Sequence, residues 1–411
     1  MNPADSAKRA ALNAAIDYLL ADPEKNMPKA MEAVNKYAPA GIFPAQRQAF
    51  ANAIGNETNW YQLLLKVAHL NPEMIGGLLK TFVVDANFLA WGKQERMRAK
   101  YGCNILWAIL LDPTSACNLY CLGCWAADYG HKLNLTFEDI DSIVCQGKEL
   151  SVHVCIYTGG EPLVRKDDVI ALCRKHPDCA FLCFTNATLI DEKFCQDMIE
   201  VKNFIPAISA EGFEETTDAR RGRGTYKRIQ HGMDLLRSHS LPFGVSTCFT
   251  SQNASAVCTE EYFDWMIEQG ALFCWIFTYM PVGTDAPTDL VHEESAHDLC
   301  AKCEKSALDW YPVATPLWNG PGFLLKRAKR TTSTHFLGPK WSNEHALFGT
   351  GSRHAPASHS TISTAPPNEN TPRKCPDTGQ LPGGAYSCIA YLARHMQRAS
   401  RGLRPPSSRL S

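Results

Sequence analysis

An α/β fold built as an open or partial (β/α) barrel of six units is predicted for this 411-residue chain by three observations. Between residues 103 and 282, six short apolar runs alternate with helix-like segments, a pattern that yields parallel strands joined by right-handed crossovers. Residues before about 100 follow a helical period instead. Unusual polar and glycine residues come directly after successive runs, where loops at the C-terminal ends of barrel strands carry chemistry.

The N-terminal region starts with Leu12, Ile16, Leu19 and Leu20 at i, i+4, i+7 and i+8, one face of a helix. A second helix is announced by Asn71-Pro72-Glu73, a capping residue followed by proline at the first helical position. Its apolar residues Ile75, Leu78, Leu79, Phe82, Ala86 and Leu89 keep the period, and Lys93, Arg96, Arg98 and Lys100 close it. Packing of that face on the barrel is favoured over an amphipathic membrane-surface helix. The strand runs are 105–111, 152–158, 180–185, 204–209, 243–249 and 272–279. Helical segments between them fall at 136–150, 166–175, 192–201, 226–238 and 259–269. The chain divides into a helical region 1–100, a core domain 101–290 and an atypical segment 291–411.

Hydrophobic residues make up 45% of the chain, which supports a substantial core. No uninterrupted apolar run reaches membrane-spanning length, the longest block being 105–111. The N-terminal stretch, with Asp5, Lys8 and Arg9, lacks a signal-peptide hydrophobic region, so a cytoplasmic location is expected. There thiols stay reduced, and 17 cysteines, an odd number, argue against a pure disulfide framework.

Cys117-x3-Cys121-x2-Cys124 follows the first run. Three thiolates on one loop can hold an iron–sulfur cluster and leave one iron without a protein ligand. The same set also suits three of four ligands of a structural zinc. Gly159-Gly160-Glu161-Pro162 follows the second run, Asn186 the third, and Ser209, Glu211 and Gly212 end the fourth. Cys155, Cys183 and Cys248 lie in apolar runs and read as small buried hydrophobes.

Together these motifs resemble the radical S-adenosylmethionine (SAM) superfamily, in particular the core of its molybdenum-cofactor-synthesis and SPASM-like branch. The resemblance rests on the cysteine triad with Gly159–Pro162, supported by Thr185-Asn186, by Ser209-Ala210-Glu211-Gly212 and by the segment 218–226. It implies a TIM-like partial (β/α)6 barrel of the radical SAM type. It implies a [4Fe–4S] cluster on Cys117, Cys121 and Cys124, with SAM chelating the fourth iron. Reductive cleavage of SAM would then give methionine and a 5′-deoxyadenosyl radical that abstracts hydrogen from a substrate.

Gly159, Gly160, Glu161 and Pro162 are implied as SAM-binding residues. The glycines would let backbone approach the ligand, and Glu161 would accept hydrogen bonds from the SAM ammonium. Asn186, Ser209 and Glu211 are implied at the methionyl or ribose groups. Arg221 is a carboxylate partner or part of a solvated basic turn. No catalytic side chain is implied beyond the cluster and SAM. The partners implied are an unidentified substrate and an electron donor such as flavodoxin or ferredoxin. Two departures stand out: the aromatic residue common before the third cysteine is Gly123 here, with Trp125 beyond, and Thr-Asn-Gly becomes Thr185-Asn186-Ala187.

The C-terminal segment differs. From Tyr311 onward 13 Lys or Arg face only Glu344, Glu369 and Asp377. Residues 331–372 mix Ser, Thr, Pro, His and Asn without period, the composition of a disordered tail. A nucleic-acid-binding tail would need interleaved aromatics, and an auxiliary cluster on Cys300, Cys303, Cys375 and Cys388 lacks the usual spacing. The favoured reading is that family resemblance stops near Leu290 and a frameshifted or spliced-in tail follows. Overall the expectation is a radical SAM enzyme of open substrate, against a non-catalytic iron–sulfur or zinc-binding regulatory protein.

Overall fold

The computed structural model describes residues 3–37, 44–126, 133–282 and 286–292. The expected tail and Cys300, Cys303, Cys375 and Cys388 lie outside the described residues.

Helices α1 (Pro3–Ala21), α2 (Pro23–Tyr37), α3 (Pro44–Gly55) and α4 (Asn59–Ala68) form the N-terminal layer. They share a small core of Met27, Ile54 and Tyr61, with Leu19 packed against it. Next, Asn71 caps α5 (Pro72–Leu78) by accepting a hydrogen bond from Met74 N at 3.0 Å. The helix continues through a π-helical stretch, Leu79–Leu89, into α6 (Ala90–Tyr101). The apolar period had predicted a plain α-helix. Within that stretch Thr81 Oγ1 donates to the Gly77 and Leu78 carbonyls, and Asn87 donates to the Phe82 carbonyl five residues back.

The 30 residues of Pro72–Tyr101 are long and apolar enough to cross a bilayer. The expectation of no spanning-length segment thus holds for uninterrupted runs but not for this helix. Its buried side chains pack within the protein, however. Met74 joins the outer core of the barrel, and Ala86 and Phe82 join the inner one. Asp85 pairs with Arg9 of α1 at 2.7 Å. These contacts pack one side of the helix against the barrel, with half of its most apolar stretch buried.

Six strands follow, β1 (Ile109–Leu111), β2 (Val154–Tyr157), β3 (Ala180–Thr185), β4 (Phe204–Ser209), β5 (Gly244–Phe249) and β6 (Cys274–Thr278). All pair in parallel, in the order β1 to β6. Between them run α7 (Phe137–Glu149), α8 (Lys166–Lys175), α9 (Glu192–Val201), α10 (Glu214–Arg221), α11 (Thr225–Ser238), α12 (Ala254–Val257) and α13 (Glu260–Glu268). This is the predicted partial (β/α)6 barrel.

The strand period of two separates the faces. Ile109, Leu111, Cys155, Tyr157, Phe181, Cys183, Val245 and Phe249 face the helices. Leu110, Val154, Ile156, Leu182, Ala207 and Trp275 form the inner cluster. The run 105–111 gives only three strand residues. Its first half serves the helix before it: Leu106 O accepts from Gln94, and Trp107 donates to Asn87 at 3.2 Å. Arg221, expected either to pair with a carboxylate of SAM or substrate or to lie in a solvated basic turn, is instead folded inward with Arg220 at the end of α10, onto Glu211.

Candidate functional site

The loop after β1 carries Cys117, Cys121 and Cys124, all half-buried. The Leu119 amide donates to Cys117 Sγ at 3.4 Å, and Cys124 N donates to Cys121 O at 3.1 Å. Burial pushes the Cys117 thiol up to about 11, partly opposed by the Leu119 amide, with Glu161, Cys121 and Cys124 adding to the rise. Burial also raises Cys121, against the pull of Arg221 and Arg220. Three thiolates on one loop repel one another and need a cation to be stable together. A metal-bound group fits that donor set.

Backbone contacts hold this loop in place. Gly160 N donates to Thr114 O at 2.9 Å and Glu161 N to Ala116 O at 2.8 Å. Such an approach excludes side chains: a Cβ on Gly160 would lie 2.2 Å from Ala116 O, and one on Gly159 2.8 Å from Thr114 O. The glycines were expected to make room for a ligand. In the structure they make room for residues 114–116, which lead into Cys117.

Glu161 is buried, at 2% exposure. Its carboxylate accepts from Thr185 Oγ1 at 2.6 Å, Asn186 N at 2.7 Å and Leu163 N at 3.0 Å. Burial pushes its carboxyl up, and those donors pull it back. All three neighbours are donors, so the ionised form suits the site. These contacts tie the ends of β2 and β3 together. Pro162 opens the short 3-10 turn Pro162–Arg165 and is buried.

Asn186 donates to Asn118 Oδ1 at 2.8 Å, and Asn118 donates to Thr188 Oγ1 at 2.8 Å. The end of β3 thereby touches the cysteine loop. Ala187 takes φ 60°, the left-handed conformation that favours glycine at that place in the motif.

Glu211, just past β4, has no exposed surface. Arg220 Nη1 donates to it at 2.6 Å and Arg221 Nε at 2.9 Å, while Cys248 N reaches its other oxygen at 2.8 Å. Burial pushes the Glu211 carboxyl up, but the two guanidiniums hold it below its ordinary range. One carboxylate against two guanidiniums leaves surplus positive charge beside the cysteines. Arg221 Nη1 lies 3.8 Å from Cys121 Sγ, and Leu122 N donates to Arg220 O at 2.8 Å.

Ser209 ends β4 half-buried, in register with Ser246. It is brought to the same rim, as predicted. Cys155 and Cys183 are buried as expected. Cys248 differs: its position alternates with Val245 and Phe249 of the outer core, so it faces inward. Burial pushes its thiol up to about 11, with Arg220 pulling down and Glu211 and Cys124 pushing up.

Sequence reasoning missed Asn118, Arg220, Tyr279 and Asp112. A paired Arg-Arg at a helix end and an acid directly after β1 were the available signals. Tyr279 had none, because it lies some 150 residues from the cysteine loop.

A family model described as the Radical SAM superfamily matches residues 111–258. An AdoMet-dependent heme synthase of Methanosarcina barkeri is 27% identical over 189 residues, covering 44% of this chain and 53% of that protein. A GTP 3′,8-cyclase of Clostridium perfringens is 31% identical over 162 residues, covering 37% and 49%. An uncharacterized protein of Methanocaldococcus jannaschii is 28% identical over 172 residues, covering 39% and 59%. The chain spans about half the length of the curated relatives it matches. Among solved structures, SuiB of Streptococcus suis bound to S-adenosylmethionine gives a TM-score of 0.43 at 18% identity, covering 49% of this chain and 47% of that one. The matched residues span the cysteine triad, the glycine turn and the Glu211–Arg221 cluster, so this part of the chain carries a Radical SAM superfamily domain.

Proposed function

We propose that the chain is a radical SAM enzyme of unidentified substrate, in which Cys117, Cys121 and Cys124 hold a [4Fe–4S] cluster. The cluster, once bound and reduced, supplies the electron that cleaves SAM to methionine and a 5′-deoxyadenosyl radical. One observation carries this reading. The three thiols sit on a loop that the backbone of Gly159–Pro162 clamps at the C-terminal rim of the barrel.

The chain's own residues have distinct tasks in this reading. Gly159 and Gly160 seat the cysteine loop, and Glu161 and Asn186 lock the ends of β2 and β3 against it. Arg220 and Arg221 balance the negative charge of the thiolates, and Glu211 orients both guanidiniums. Ser209, on the inner rim, contacts the bound nucleotide. The electron donor is a carrier such as flavodoxin or ferredoxin, and the location is the cytoplasm.

The test is anaerobic reconstitution with iron and sulfide, followed by SAM and dithionite. Formation of 5′-deoxyadenosine is expected, with loss of both iron and product in Cys117→Ala. No product, together with unchanged metal content in Cys117→Ala, sinks the reading.

A further inference from the structure

We propose that Asp112 is the anionic end of a cation-binding subsite in the barrel mouth, receiving an ammonium, sulfonium or guanidinium group of a bound ligand. The inference rests on the radical SAM reading of the same rim and gives that rim's ligand a charge class.

Three observations place the subsite. First, Asp112 directly follows β1, where Ile109 and Leu111 face the outer core and Leu110 the inner one. The period of two turns Asp112 to the inner side with Leu110. Second, it leans on the glycine turn: a Cβ on Gly159 would lie 3.0 Å from Asp112 Cβ and 3.2 Å from its Cγ. Third, its side chain is accessible, yet surrounding protein pushes its carboxyl up to about 6. Desolvation is the sole cause, with no charge or hydrogen bond from the described residues contributing. An acid on a convex surface would be hydrated and unshifted; an accessible but desolvated one stands in a cleft.

The contrast with its neighbours sharpens the point. Glu161 is saturated by three donors of the chain, and Glu211 by two guanidiniums and an amide. Asp112 alone among these three rim carboxylates is left open to a ligand. A desolvated carboxylate in such a cleft is stabilised by a cation that arrives with the ligand. Two sources of that cation exist: SAM itself, with its sulfonium and ammonium, and a second substrate bearing an amine or guanidine.

The experiment compares reconstituted wild type, Asp112→Asn and Asp112→Glu by anaerobic equilibrium dialysis. Radiolabelled SAM is one probe. Agmatine, with and without SAM, is the second, and n-pentanol is its uncharged counterpart. Iron content confirms that each variant is assembled, with Asp112→Ser replacing any variant that is not. Loss of SAM affinity by about tenfold or more in Asp112→Asn, recovered in Asp112→Glu, supports the proposal and assigns SAM as the cation. Unchanged SAM affinity, with agmatine binding lost in Asp112→Asn and pentanol not bound, supports it and assigns a second substrate. Unchanged SAM affinity with no Asp112-dependent agmatine binding overturns it. Wild type that binds agmatine through Asp112 but forms no 5′-deoxyadenosine sinks the radical reading and leaves the subsite standing.

Discussion

Tyr279 occupies the space into which a side chain at position 123 would grow. A Cβ on Gly123 would lie 2.8 Å from Tyr279 Cε2 and 3.0 Å from its hydroxyl, with Leu290 Cδ1 at 2.7 Å. The aromatic residue common before the third cysteine is therefore absent for a physical reason, since the end of β6 brings its own ring there. Gly123 also takes φ +66°, the left-handed region.

Gly123→Ala is expected to cost on the order of 2 kcal/mol, combining left-handed strain with overpacking. Iron retained after reconstitution should fall with it. Adding Tyr279→Ala removes the ring but neither the Leu290 contact nor the strain, so the double variant should recover only part of the iron. Tyr279→Phe should melt like wild type, because the Tyr279 hydroxyl is buried without a partner among the described residues. Equal iron loading in Gly123→Ala and wild type would show that the ring yields freely.

Glu161→Gln separates a clasp from a ligand contact. The amide keeps one acceptor oxygen and turns its NH2 toward a backbone or hydroxyl donor. A loss of about 1–3 kcal/mol is expected in the protein without SAM, read by urea denaturation. An unchanged midpoint, with only SAM affinity reduced, would return Glu161 to the ligand-binding role.

Glu211→Gln leaves Arg220 and Arg221 buried and under-compensated. Breaking a buried ion-pair network in this way costs about 3–5 kcal/mol. The variant should unfold at lower denaturant and load less iron, since both arginines anchor the loop near Cys121 and Leu122. Wild-type stability in Glu211→Gln would mean that water or another anion compensates the guanidiniums.

The pH dependence of Asp112 has a defined sign. Its carboxyl is raised from 3.8 to about 6 by desolvation from the surrounding protein. Between those values the native protein binds more protons than the unfolded chain, so Asp112 lowers stability as pH rises through that window. Asp112→Asn lacks this loss. Without ligand it should melt close to wild type near pH 4 and above it near pH 7.5, by thermal denaturation at both values. A gap of equal size at both pH values would place the side chain in ordinary solvent.

Much of the rim was legible beforehand. Cys117, Gly159, Asn186 and Ser209 each follow a strand, and the order of parallel strands is the order of the chain. Period and spacing are local properties, so they place these residues at one end of the barrel without knowledge of a contact. The helix at Asn71-Pro72 was likewise readable from its cap. The π-helical stretch was not, because a hydrophobic pattern does not record which backbone bonds a helix closes.

The sequence by itself determined which chemistry-bearing residues share the rim and which face each strand presents, because both follow from order and period along one chain. Only the tertiary structure decided what each residue does there. It turned Glu161 onto β3, folded Arg220 and Arg221 inward on Glu211, set Tyr279 against Gly123 and left Asp112 open. The first three of those outcomes join residues that no local preference brings together. Burial then selects among the possible partners, since an unpaired charge or polar group inside the barrel is costly and a glycine is the only residue that fits where backbones touch.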